Sequence, residues 1–165
     1  MRPVGFRKKV AAEKTGDARA VRVAAIALLA RRDFASVELT RRLEAHGYSP
    51  GVVRASVAAL ATERLVNDAR FSENYVAYHA NRGRGPVRIG ADLKALGLPG
   101  DLIESALAAI TDWRARAQAA RSRRFGPNAP ESWPDKGRQA RFLQYRGFSA
   151  DHIRAALGTD LNLDD

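Results

Sequence analysis

Arginine is the residue whose type and placement could do chemistry in this chain. Its 165 residues hold 28 Lys and Arg against 18 Asp and Glu, a formal net charge of +10. A guanidinium presents five donors in a planar fork that matches phosphate or carboxylate oxygens in pairs, so an arginine excess points to a polyanionic partner. The charge is not spread evenly. Residues 1–22 carry +5, residues 23–112 only +1, residues 113–141 carry +6 and residues 142–165 carry −2. Within the second basic block stand Arg121, Arg123 and Arg124, followed by Arg138 and Arg141, which lie three apart and hence on one helix face. Arg82, Arg84 and Arg88 lie within and beside the segment Gly83-Arg84-Gly85-Pro86.

Other chemistries find little support. With no cysteine, a disulfide scaffold, a thiolate metal site and thiol catalysis are excluded. His46, His79 and His152 are far apart and lack the i, i+4 spacing of a helical metal site. His46 and its fellows read as surface or helix-end residues. No P-loop pattern occurs. The Gly83–Pro86 segment lacks a preceding strand, and Pro86 removes an amide that a phosphate would use, so it reads as a connector leading into a helix. No catalytic residue, cofactor or metal is expected, and the chain is not read as an enzyme. The longest apolar run, Val23–Ala30, is eight residues, far short of the roughly 20 needed to span a bilayer. Glu13 and Asp17 interrupt the basic leader before it, so the expected location is cytoplasmic.

The elements that would position the arginines follow from a repeat. Leu43 precedes Gly47 and Tyr48, Leu93 precedes Gly97 and Leu98, and Leu143 precedes Gly147 and Phe148, each copy 50 residues after the last. Each copy reads as a helix ending in which glycine takes the left-handed conformation and the flanking apolar pair closes a Schellman turn. Ser49, Ser149, Pro50 and Pro99 mark the start of the next helix. That helix carries Val53, Val57 and Leu60, then Ile103, Leu107 and Ile110, then Ile153 and Leu157. Middle helices are predicted near 36–46, 86–96 and 136–146, the last starting at Asp135. First helices are predicted near 19–31, 69–81 (capped by Asp68) and 112–124. Residues 108–113 could run on as continuous helix.

The expected fold is all-α, an elongated tandem array of three three-helix, helix-turn-helix-like repeats with a 50-residue period. The expected organisation is a basic flexible tail over 1–17 and repeats over 18–66, 67–111 and 112–158. The third repeat would contain a mobile or extended Pro-rich loop over 126–134, and an acidic tail would close the chain over 159–165. A unit this small buries its apolar face poorly alone, which favours stacking.

Three segments carry a family resemblance: Leu65-Val66-Asn67-Asp68-Ala69-Arg70-Phe71; Gly83-Arg84-Gly85-Pro86-Val87-Arg88-Ile89 with Leu93-Lys94-Ala95-Leu96-Gly97-Leu98 after it; and Phe142-Leu143-Gln144-Tyr145-Arg146-Gly147-Phe148-Ser149. In this order they resemble the RecX family, bacterial regulators of the RecA recombinase, from about residue 20 to 157. Ser72 departs from the family's usual alanine, and Tyr145 stands where a basic residue is frequent. The resemblance implies a monomeric, non-enzymatic regulator that binds the RecA–single-stranded DNA filament. Such a regulator inhibits ATP hydrolysis, strand exchange and coprotease activity, and so modulates DNA repair and the SOS response. Contacts to recombinase or DNA, single-stranded or duplex, are then expected from Arg70, Arg82, Arg84, Arg88, Arg121, Arg123, Arg124, Arg138 and Arg141. The alternative is an autonomous DNA-binding protein using its helix-turn-helix-like units.

Overall fold

The computed structural model describes residues 15–158. The acidic tail and all but the last three residues of the basic tail lie outside the described residues. Among the described residues the regular structure is helical throughout, in nine helices. In chain order they are α1 (Ala18–Leu29), α2 (Ser36–Ala45), α3 (Pro50–Thr62), α4 (Asp68–Asn81), α5 (Pro86–Ala95), α6 (Gly100–Ala108), α7 (Trp113–Phe125), α8 (Trp133–Arg146) and α9 (Ala150–Leu157).

The chain forms two compact units. One comprises the residues up to Phe71 together with Leu96–Leu98; the other comprises Ser72–Ala95 and the residues from Pro99 onward. In the first, α1, α2 and α3 pack together. Helical spacing places Val21, Ala25 and Leu28 of α1 on one buried face, Leu39 and Leu43 on α2, and Val53, Val57 and Leu60 on α3. Phe34 and Val66 close this cluster, and Tyr48 packs partly against it. Each fully buried leucine contributes about 2 kcal/mol through removal from water. Gly97 presses on Val37, whose Cγ1 would lie 2.8 Å from any added Cβ.

In the second unit α5 packs on α6, while α7, α8 and α9 pack on one another. Buried Ile89, Leu93, Ile103, Trp113, Ala117, Leu143, Phe148 and Leu157 supply its apolar interior.

The expected glycine turns are present. Gly47, Gly97 and Gly147 have φ of +100°, +87° and +89°. The Tyr48 amide donates to the Leu43 carbonyl at 3.4 Å and the Phe148 amide to Leu143 at 3.1 Å, the long bond of a Schellman ending. Leu93 and Leu98 are both buried.

Several local expectations are corrected. Helix α8 starts at Trp133, not Asp135, because the Ser132 hydroxyl accepts from the Asp135 amide and Pro134 sits in the first turn, where no amide is needed. Helices α6 and α7 are separated by residues 109–112; the Trp113 indole donates to the Leu107 carbonyl at 3.3 Å, satisfying the end of α6. Ser149 caps α9 through a capping box with His152, but Ser49 makes no side-chain cap bond. Asp68 is not the cap of α4. Asn67 fills that role, its side chain accepting from the Arg70 amide at 2.9 Å. The Asp68 carboxylate instead accepts from the Ser36 amide (2.7 Å) and hydroxyl (2.6 Å), capping α2 from 32 residues away.

Candidate functional site

Two glycine segments meet in the second unit and build a recess lined by arginines. Helix α4 ends in a turn of its own: Gly83 has φ of +77°, its amide donates to Ala80, and the Arg84 amide donates to His79. The chain then runs against the end of α8. The Gly85 amide donates to the Arg146 carbonyl at 2.8 Å, and the Val87 amide to the Gly147 carbonyl at 3.0 Å. These amides satisfy carbonyls that a helix C-terminus leaves open. They are therefore engaged, which removes the phosphate-loop reading of this segment and supports the connector reading. The approach is too close for side chains. A Cβ on Gly85 would fall on the Gly147 carbonyl and the Phe148 nitrogen, and one on Gly147 would lie 2.6 Å from the Arg88 nitrogen.

This backbone stitch brings arginines from two helices, α7 and α8, and from the connector after α4 to one recess of about 530 Å³. Tyr78, His79, Arg82, Arg84, Arg123 and Arg146 line it. The Arg82 guanidinium lies 4.3 Å from the Tyr78 ring centre, and Arg146 donates to the Arg82 carbonyl at 3.4 Å. Arg84 is paired with Asp92 at 2.9 Å. Arg82, Arg123 and Arg146 have no carboxylate partner among the described residues. Three cations unpaired among the described residues around an open recess make a positive field, which attracts anions. Burial first, and then the neighbouring Arg84 and Arg82, hold the His79 imidazole below the ordinary histidine range, with Asp92 opposing.

The structure thus gathers Arg82, Arg84 and Arg123 of the expected set in one place. Arg88 is exposed and outside the recess lining, its guanidinium 5.3 Å from the Tyr145 ring centre. Arg124 and Arg141 are exposed but line no part of the recess. Arg138 is exposed and ion-paired with Asp135 at 2.8 Å. Arg70 belongs to the first unit, where it bonds Asp33 at 3.3 Å and the Leu65 carbonyl at 3.5 Å.

Arg121 is a correction. It is only 2% exposed, donating to the Asn128 and Pro127 carbonyls at 2.8 and 3.1 Å and also to Gln139 and Ser122. Its charge is spent inside the unit, holding the Pro-rich loop from beneath, and is out of reach of a partner. That loop is accordingly tied down, not free.

Sequence reasoning missed Tyr78, His79 and Arg146. The Tyr78–Arg82 pair has i, i+4 spacing and was legible in principle. Arg146 depends on a contact with Arg82 across 64 residues, for which no spacing signal exists.

Comparison with known proteins covers most of the chain. The family model described as RecX, second three-helix domain, matches residues 67–107, and that for the third three-helix domain matches residues 112–157. The regulatory protein RecX of Halorhodospira halophila is 46% identical over 138 residues, covering 83% of this chain and 86% of that one. The regulatory protein RecX of Pseudomonas entomophila is 40% identical over 144 residues, covering 86% and 93%. The crystal structure of RecX from Lactobacillus salivarius has the same fold, with a TM-score of 0.75 at 22% identity over 88% of this chain and 97% of that one. With its helices, its turn glycines and these relatives in agreement, the chain belongs to the RecX family of regulatory proteins.

Proposed function

We propose that this protein is a non-enzymatic, monomeric, cytoplasmic regulator that binds the RecA filament on single-stranded DNA. There it restrains ATP hydrolysis, strand exchange and coprotease activity, and so tempers DNA repair and the SOS response. Three three-helix repeats, over 18–66, 67–111 and 112–158, are its building blocks in this reading. The observation that supports it is the recess where Arg82, Arg123 and Arg146 converge with no carboxylate partner among the described residues, in a chain of this family. A filament is a polyanion built from DNA phosphates and acidic protein groups, and a multi-contact partner gains from engaging several sites at once.

The test is ATP hydrolysis by the host recombinase on single-stranded DNA, with this protein added at sub-stoichiometric amounts. The rate is expected to fall, and a triple R82E/R123E/R146E variant is expected to lose most of that effect. No change in rate at any ratio overturns the reading. Tight, sequence-specific duplex binding without recombinase would move the assignment to an autonomous DNA-binding protein.

A further inference from the structure

Tyr145 is 75% exposed on the outer face of α8, although the residue three positions on, Phe148, is buried. Its ring is not idle: Arg88 comes from 57 residues away to place a guanidinium 5.3 Å from its centre and to donate to its carbonyl at 3.4 Å. Arg141 and Arg138 precede it by four and seven residues, so the three share one stripe of the helix, spaced roughly 6 and 4.5 Å along its axis. At the rim of the neighbouring recess a second exposed tyrosine, Tyr78, repeats the arrangement with Arg82 against its ring.

An acidic protein surface needs cations alone. An open aromatic face held by a cation and flanked by further arginines suits a ligand that alternates flat rings with negative charge, which is a nucleic acid strand. In a duplex the bases are stacked on each other and present no free face to such a ring, so the strand must be single.

We infer that Tyr145 is a stacking platform for an unpaired base of single-stranded nucleic acid, with Arg88 and Arg141 holding the phosphates on either side. This rests on the filament reading for its biological setting, since that reading puts single-stranded DNA beside the protein, but its chemistry is independent. The tyrosine supplies preference for single strand over duplex, and the arginines supply charge.

The experiment is equilibrium binding of the full chain to a dye-labelled oligothymidylate and to an abasic strand of the same length, at several salt concentrations. Y145A is expected to weaken oligothymidylate binding about 5- to 150-fold, the range of one lost stack. Binding to the abasic strand should be unchanged, as should the salt slope, because no phosphate contact is lost. Y145F keeps the ring and should bind like the unaltered chain. Trp133, an exposed aromatic about 18 Å away at the other end of α8 with Lys136 5.6 Å from its ring but outside the arginine stripe, is the control. An equal loss on the abasic strand, no loss at all, or the same loss in W133A overturns the inference. So does a Y145A defect in recombinase inhibition with strand affinity intact, which would place the ring against protein. Base-dependent binding lost in Y145A without any effect of the protein on recombinase would instead leave the platform standing and overturn the filament reading.

Discussion

Arg121 and His79 show how a single charge takes its meaning from its surroundings. Arg121 sits near the end of α7, where the helix dipole favours a cation, and two of its hydrogen bonds, to the Pro127 and Asn128 carbonyls, hold the loop that follows while the others reach Ser122 and Gln139. Truncation in R121A removes the donors to the Asn128 and Pro127 carbonyls and opens a cavity where the buried side chain stood. The expected loss is about 2–4 kcal/mol in urea unfolding, with faster proteolysis within 126–131. R121K should rescue little, lacking the fork; a variant within 0.5 kcal/mol of the parent would contradict this. His79 titrates below the ordinary value near 6.5. The unfolded chain therefore binds its proton at higher pH than the folded one does. The stability it contributes is fully present above about 6.5 and is lost as pH falls through the lowered folded value. His152, lowered chiefly by burial and by Arg114, adds in the same direction. Unfolding free energy should thus drop between pH 7.5 and 5.5, and H79Q should flatten part of that drop. An anion in the recess would raise the His79 value, visible as a shift in its ring-proton titration by NMR.

At the scale of elements, the stitch between the Gly83–Pro86 connector and the end of α8 is what positions the arginines. G85A and G147A both drive a methyl into backbone, and Gly147 is in addition left-handed. Each is expected to cost about 3 kcal/mol and to dismantle the recess. G51A is the contrasting case: nothing lies within 4 Å of its added Cβ in the first turn of α3, so it should be neutral or stabilise by up to about 1 kcal/mol. Thermal unfolding of the three variants separates close approach from glycine content as such. In the first unit, D68A strips α2 of its only side-chain cap among the bonds described, and should cost about 1–2 kcal/mol.

For the molecule as a whole, net charge is the controlling quantity, and it acts through salt. Each phosphate contact to a single strand steepens the dependence of log affinity on log salt by about 0.7. Neutralising Arg82, Arg123 and Arg146 together should flatten that slope by about 2, whereas the R138Q change, at a residue already paired with Asp135, should alter it far less. A filter-binding or anisotropy titration across salt concentrations decides it. If both variants flatten the slope alike, the recess holds no privileged place in the basic surface.

The sequence by itself determined the helices and their turns. Periodic valines and leucines, a proline at a first turn and a glycine at a helix end act over three to seven residues, and Gly47, Gly97 and Gly147 could be read because a Schellman ending is closed by its own neighbours. The family was legible for the same reason, in contiguous segments. Only the tertiary structure decided which arginines act and which support. Arg121 and Arg123 are alike in sequence, two residues apart on one helix, yet one faces the interior and the other the recess. Asp68 serves a helix 32 residues back, and Gly85 meets the carbonyl of Arg146 far along the chain. Burial and charge neutralisation depend on what folds against a residue, and no local spacing encodes that.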